Sequence, residues 1–130
     1  MLLDTNAISA WAEQEAGFLK ALRNDWAWYL PSIALGEYRF GLVKSNRRTA
    51  LEEWLAGIQA ACTVLNADAV TAKHYAEIRA SLQGANRSIP YHDIWIAALA
   101  IQHTLPVMSR DAHFDRISGI RRISWEEGQE

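Results

Sequence analysis

The sequence predicts an α/β domain, a parallel sheet with helices covering both of its faces. Two observations carry this. Short apolar runs alternate with helix-patterned stretches along the whole chain, and acidic residues stand where those runs end or where the next helix begins. At 130 residues the chain is long enough for one hydrophobic core, and residues 1–130 read as a single domain with no internal repeat, linker or low-complexity stretch.

Leu2 and Leu3 form a very short strand that ends at Asp4. Residues 7 to about 22 are helix-patterned, with Ile8, Trp11 and Ala12 on one face and a break near Gly17. The large apolar run 26–30 is a second strand stopped by Pro31, after which Ser32 is placed to cap a helix carrying Ile33, Leu35 and Tyr38. A further helix, 49–60, sets Leu51, Trp54, Leu55 and Ile58 on one side, and 62–65 is a buried third strand. Asp68 caps a long helix to about Leu82, residues 83–86 are a loop, and Pro90 precedes a helix over 93–103 that is apolar nearly all round, as in a helix packed on most sides. Residues 106–108 form a fourth strand. A helical turn around Phe114 and a last strand near 120–123 follow, with a frayed tail expected over 126–130.

Half of the residues are apolar and 22% are charged, as in a soluble protein, and no run approaches the roughly 20 apolar residues of a membrane span. The opening MLLDTN lacks the basic start and apolar run of a secretory signal, and the single cysteine, Cys62, reads as a structural thiol; a reducing cytoplasm is the expected compartment. The net charge of −2 sits awkwardly with nucleic-acid binding. Yet Arg39, Lys44, Arg47 and Arg48 cluster, as do Arg110, Arg116, Arg121 and Arg122; each cluster is either a solvated face or a set of phosphate contacts.

Asp4, Glu37, Asp93 and Asp111 are the candidate site. In a parallel sheet the carboxyl ends of the strands and the first turns of the following helices converge on one edge. Each acid has a local alternative. Asp4, Asp93 and Asp111 could cap helices or meet a helix dipole, and Glu37, among apolar neighbours, could pair with Arg39 or Arg48. Together they are harder to explain so, because two unit charges about 4 Å apart repel by roughly 4 kcal/mol at an effective dielectric near 20. A cation would relieve that repulsion, and an all-oxygen set suits Mg²⁺ or Mn²⁺ rather than zinc. Asp115 is a possible fifth acid or simple surface charge.

These residues carry a resemblance. Leu2-Leu3-Asp4-Thr5-Asn6, Glu37-Tyr38-Arg39-Phe40-Gly41, Asp93-Ile94-Trp95-Ile96-Ala97-Ala98 and Ser109-Arg110-Asp111-Ala112-His113-Phe114 together resemble the PIN-domain ribonucleases, specifically the VapC-type toxins of prokaryotic toxin–antitoxin pairs. The resemblance spans essentially the whole chain and implies a three-layer α/β/α sandwich with a central parallel sheet. It makes Asp4, Glu37, Asp93 and Asp111 both the Mg²⁺ ligands and the catalytic acids, with Mn²⁺ as a substitute. Asn6 and Ser109 become the polar residues that hold carboxylates or water, and Asp115 an auxiliary. It further implies hydrolysis of RNA phosphodiesters, with a transfer RNA or ribosomal RNA loop as substrate, a homodimer, and a small antitoxin seated on the helices around residues 34–57. Two features depart from the pattern: the first strand is short, and His92 stands where such toxins often carry asparagine. His92 is read as facing solvent, and His113 as packing beside Phe114 rather than as a general acid. Trp11 either stacks on a base or serves an interface, and Trp125 pins the C-terminal segment.

A non-catalytic PIN-like module that binds RNA or a partner is the alternative function, and it would lack one of the four acids. A phosphotransferase with Asp4 as nucleophile would carry a second aspartate where this chain has Asn6.

Overall fold

The computed structural model describes residues 1–22 and 26–126. Five parallel strands, β1 (Leu2–Leu3), β2 (Tyr29–Pro31), β3 (Thr63–Leu65), β4 (Val107–Met108) and β5 (Arg122–Ile123), form one sheet in the order β3-β2-β1-β4-β5. Leu2 pairs with both Tyr29 and Val107, and Leu3 with Met108, so β1 and β4 lie side by side at the centre. The helices among the described residues are α1 (Thr5–Ala12), α2 (Ala16–Ala21), α3 (Ser32–Leu42), α4 (Arg48–Ala61), α5 (Ala69–Gly84) and α6 (Tyr91–His103), with a 3₁₀ turn at Ala112–Arg116.

Successive side chains of a strand point to opposite faces of its sheet. Leu2, Leu3, Val107 and Met108 are all 0% exposed, so both faces of the central strands are covered and the architecture is the three-layer α/β/α sandwich. From β1 the chain steps outward to β2 and β3, then crosses back through α5 and α6 to β4 and continues to β5. The direction of winding therefore reverses between β1 and β4. Such a switch point leaves a crevice outside the carboxyl ends of its two strands.

α6 is buried on nearly every side, with Ile96, Ala97, Ala98 and Leu99 at 0% exposure and Trp95 stacked on Tyr75 of α5 at 4.2 Å. Several local expectations are corrected. The break in the first helical stretch falls at Gln14, whose φ is +54°, not at Gly17. Gly17 lies inside α2, where a Cβ would stand 3.1 Å from the Trp125 carbonyl oxygen; a close approach, not a turn, requires the glycine. Pro31 rather than Ser32 occupies the N-cap of α3, and no side chain caps that end. α5 runs on through Gly84, into the expected loop. β3 is an edge strand and only half-buried. Beyond Glu126, the tail expected over 126–130 lies outside the described residues.

Aromatic contacts fasten the ends of the fold together. Trp11 meets Phe18, Trp28 and Trp54 with ring centroids 5.6–6.1 Å apart, which assigns its ring to internal packing rather than to a base. Trp125 is buried edge-on to Phe18 and donates its indole N–H to Glu15, and so pins the C-terminal segment. Burial pushes the free Cys62 thiol pKa up, which makes it a poorer nucleophile.

α6 ends in a left-handed residue, Thr104 (φ 54°), with Leu105 N–H bonded to the Ala100 carbonyl at 2.9 Å. Glycine is the favoured residue at such an end, because a β-branched side chain is strained there. Thr104→Gly is expected to stabilise the protein by about 0.5–1 kcal/mol in urea unfolding. A loss of stability would show that the Thr104 side chain makes up for its backbone strain.

Candidate active site

Asp4 follows β1, and Ser109 and Asp111 follow β4, so the β1/β4 switch point delivers them to one crevice. Asp93 arrives from the third position of α6. Asp4 and Asp93 are 3% and 2% exposed, an unusual depth for carboxylates.

Ser109 ties the two strand ends together. Its hydroxyl donates to Asp4 Oδ2 at 2.8 Å and accepts from the Asp111 backbone N–H at 2.9 Å and from Asn6 Nδ2 at 3.2 Å. Asp4 Oδ1 accepts from Thr5 N–H at 2.8 Å, so Asp4 does cap α1 while its other oxygen faces Ser109. Asp111 likewise caps the 3₁₀ turn by accepting from His113 N–H at 3.0 Å. Asp93 does not cap: α6 starts two residues earlier, at Tyr91, and Pro90 holds the N-cap.

The Asp93 carboxylate is instead held between two imidazoles. His92 Nε2 stands 3.2 Å from Oδ1 and His113 Nδ1 3.0 Å from Oδ2; His113 Nδ1 is also 3.0 Å from Asp111 Oδ2. Ligand atoms of Asp93, Asp111 and His113 all lie within 4.8 Å of one another. His92, read as facing solvent, keeps 39% of its side chain exposed while its Nε2 reaches Asp93, and His113, read as packing beside Phe114, meets Asp93 and Asp111 instead. Phe114 is fully buried and anchors the turn, and the His113 side chain is about a third exposed. The available signal was the spacing Asp111-Ala112-His113. An aspartate that accepts the N–H two residues on holds that residue's backbone close to its own carboxylate.

Electrostatics follow the geometry. Burial pushes the Asp4 pKa up to about 6; the Ser109 and Thr5 hydrogen bonds oppose the rise, and the charges of Asp93 and Asp111 add to it. Burial also raises Asp93, with Asp111 reinforcing and His113 and His92 opposing. Three acids from distant parts of the chain therefore share one field.

The remaining expected site residues lie differently. Glu37 is exposed, so the argument that a buried charge there demands a partner fails. Among the described residues no hydrogen bond or ion pair joins it to the other acids. It lines a hollow of about 330 Å³ with Thr5, Ser9, Glu13 and Arg47, beside Asp4 in sequence. Asp115 is held by both oxygens to Arg122 at 2.9 and 3.0 Å, which lowers its pKa and neutralises it as a further ligand. The arginine clusters are also largely engaged. Arg39 pairs with Glu52, Arg47 with Glu13, Arg110 with Glu15 and Glu126, and Arg122 with Asp115.

A family model of the PIN domain matches residues 1–120. The chain belongs to the PIN domain family. Its similarity to VapC ribonuclease Y4jK of Sinorhizobium fredii is 32% identity over 97% of this chain and 98% of that protein. Among solved structures, FitAcB from Neisseria gonorrhoeae superposes with a TM-score of 0.86 at 27% identity, covering 97% of this chain and 98% of that one. VapBC-5 from Mycobacterium tuberculosis, a member of the VapBC family of toxin–antitoxin systems, superposes at 0.73 with 26% identity over 95% and 96% of the two chains. The sequence pieces that suggested a VapC-type PIN domain thus belong to one.

The raised Asp4 pKa yields a pH test of this PIN domain. Because the folded value of about 6 exceeds the ordinary 3.8, the neutral acid favours the fold; that contribution is complete below about pH 4 and is lost as pH rises through 6. Without divalent cations, Asp4→Asn is expected to gain roughly 2–3 kcal/mol on the wild type between pH 4 and pH 7. A stability difference that stays flat with pH would mean that Asp4 carries no such strain.

Proposed function

We propose that this PIN domain is the ribonuclease toxin of a type II toxin–antitoxin pair, and that it hydrolyses RNA phosphodiesters at the β1/β4 crevice with a divalent cation, Mg²⁺ or Mn²⁺. The observation that carries the reading is the convergence of Asp4, Asp93 and Asp111, two of them buried, with burial and the charges of the neighbouring acids raising the pKa of Asp4 and burial and the charge of Asp111 raising that of Asp93. Buried like charges are tolerated where a cation compensates them. The residues fit such an ion. Carboxylate oxygens stand at the crevice, and the buried Thr5 Oγ1, next to Asp4 in the chain, has no hydrogen-bond partner among the described residues.

Asp93 and Asp111 would hold the cation, with Asp4 and Glu37 completing the acidic site from β1 and α3. When bound, the ion lowers the pKa of a water and neutralises charge on the phosphate oxygens. Ser109 and Thr5 N–H fix Asp4 in one orientation, and His92 and His113 fix Asp93, so the acids need little rearrangement as substrate enters. In-line attack on phosphorus leaves a 5′-phosphate and a 3′-hydroxyl. The exposed ion pairs of Arg39, Arg47 and Arg110 are each worth only about 0–1 kcal/mol, so an RNA phosphate can replace their carboxylate partners at small cost.

The partner is a small antitoxin protein, and the assembly a homodimer. Phe40 and Val43, 78% and 49% exposed, offer apolar surface at the end of α3 for such contacts. The substrate is a transfer RNA or ribosomal RNA loop, consistent with unpaired backbone reaching a crevice at a sheet edge.

Asp93→Asn is expected to lower cleavage at least 100-fold with the circular dichroism spectrum unchanged. Sequencing of RNA 5′ ends from cells briefly expressing the wild type should show discrete new 5′-phosphate ends that the variant lacks. Growth arrest on expression, relieved by the co-expressed antitoxin, separates toxin from housekeeping nuclease. A folded, fully active Asp93→Asn protein would remove the proposal.

A further inference from the structure

The four acids read from the sequence form an all-oxygen set, but the group of donors that the fold gathers closely among the described residues does not. It consists of Asp93, Asp111 and His113. Asp4, by contrast, has one oxygen engaged by Thr5 N–H and the other by Ser109.

We propose that His113 is a nitrogen ligand of the cation site, and that the resulting mixed nitrogen–oxygen centre selects Mn²⁺ over Mg²⁺. The inference rests on the reading of the crevice as a cation site and names the ion that site prefers. Its first support is spacing. Neighbouring donors around an octahedral ion with bonds of about 2.1 Å stand roughly 3.0 Å apart. His113 Nδ1 lies 3.0 Å from Asp93 Oδ2 and 3.0 Å from Asp111 Oδ2.

The second support is rigidity. The backbone of His113 is fixed beside the acids, because its N–H is bonded to Asp111 Oδ1 and the adjacent Phe114 is fully buried, and its ring already meets both carboxylates. The ring is thus presented to the crevice in advance.

The third is donor chemistry. Mg²⁺ demands oxygen ligands and keeps its waters, whereas imidazole suits the later first-row ions, and Mn²⁺ accepts carboxylate and imidazole together. His92 differs from His113 in kind: from the first turn of α6 it contacts the Asp93 carboxylate and not that of Asp111, and so positions Asp93.

Pulsed electron paramagnetic resonance of the Mn²⁺-loaded protein tests this directly. The wild type should show nitrogen coupling to the metal, and labelling its histidines with ¹⁵N should convert the coupling without disturbing the fold. His113→Gln should abolish it, and His92→Gln should leave it in place. By calorimetry, His113→Gln should weaken Mn²⁺ binding about 10–100-fold and Mg²⁺ binding less than about 3-fold. Should His113→Gln fail to fold, coupling retained in folded His92→Gln still assigns the ligand. No nitrogen coupling in the wild type, its loss in His92→Gln, or equal weakening of both ions would overturn the assignment while leaving a cation site standing. Failure of the wild type to bind either ion would remove the site itself.

Discussion

Mutual repulsion among carboxylates that the fold forces together is the constraint around which this protein is arranged. The chain reverses its winding between β1 and β4, and the reversal leaves the carboxyl ends of two fully buried strands adjacent. Whatever follows those strands must share one crevice. Here that is Asp4 on one side and Ser109 with Asp111 on the other, while α6 brings Asp93 up against them. The hydrophobic layers above and below the sheet supply the driving force that holds these charges close. The same burial that stabilises the sheet raises the pKa values of Asp4 and Asp93.

A polar framework makes the arrangement tolerable. Ser109 serves three partners at once, so Asn6, Asp4 and the turn at Asp111 move as a unit. Two imidazoles flank Asp93, one on each oxygen. In PIN domain terms, the acids supply charge, and Ser109 and His92 supply position. The chain's formal charge of −2 is compatible with the proposed RNA substrate, since Arg39 and Arg110 sit in exposed, weakly bound pairs that a phosphate could displace.

Much of this was legible in the sequence, for physical reasons. Leu2-Leu3 and Val107-Met108 are continuous apolar runs, as strands covered on both faces must be, and the all-round apolar surface of α6 announced its packing. The positions of Asp4 and Asp111 at strand ends followed from the alternation of elements. What escaped was the direction of side chains within short turns. Glu37 was judged by its neighbours in sequence, yet on a helix those lie on other faces, and the residue proves exposed. Asp115 is four residues from Asp111 but meets Arg122, a partner that only the pairing of β4 with β5 brings near. His113 was read through Phe114 beside it, although Phe114 is buried in the core while His113 meets Asp93 and Asp111. The break at Gln14 and the close approach of Gly17 to Trp125 depend on where the C-terminal segment docks, which no local pattern encodes.

The most direct test of the account is equilibrium unfolding of the wild-type protein at neutral pH, with and without divalent cation. If the gathered carboxylates are a cation site, Mg²⁺ or Mn²⁺ at 100 times its dissociation constant should stabilise the fold by about 2.7 kcal/mol, and replacing Asp93 and Asp111 by asparagine should remove that gain. Stability indifferent to the ions, or an equal gain without those two acids, would contradict it.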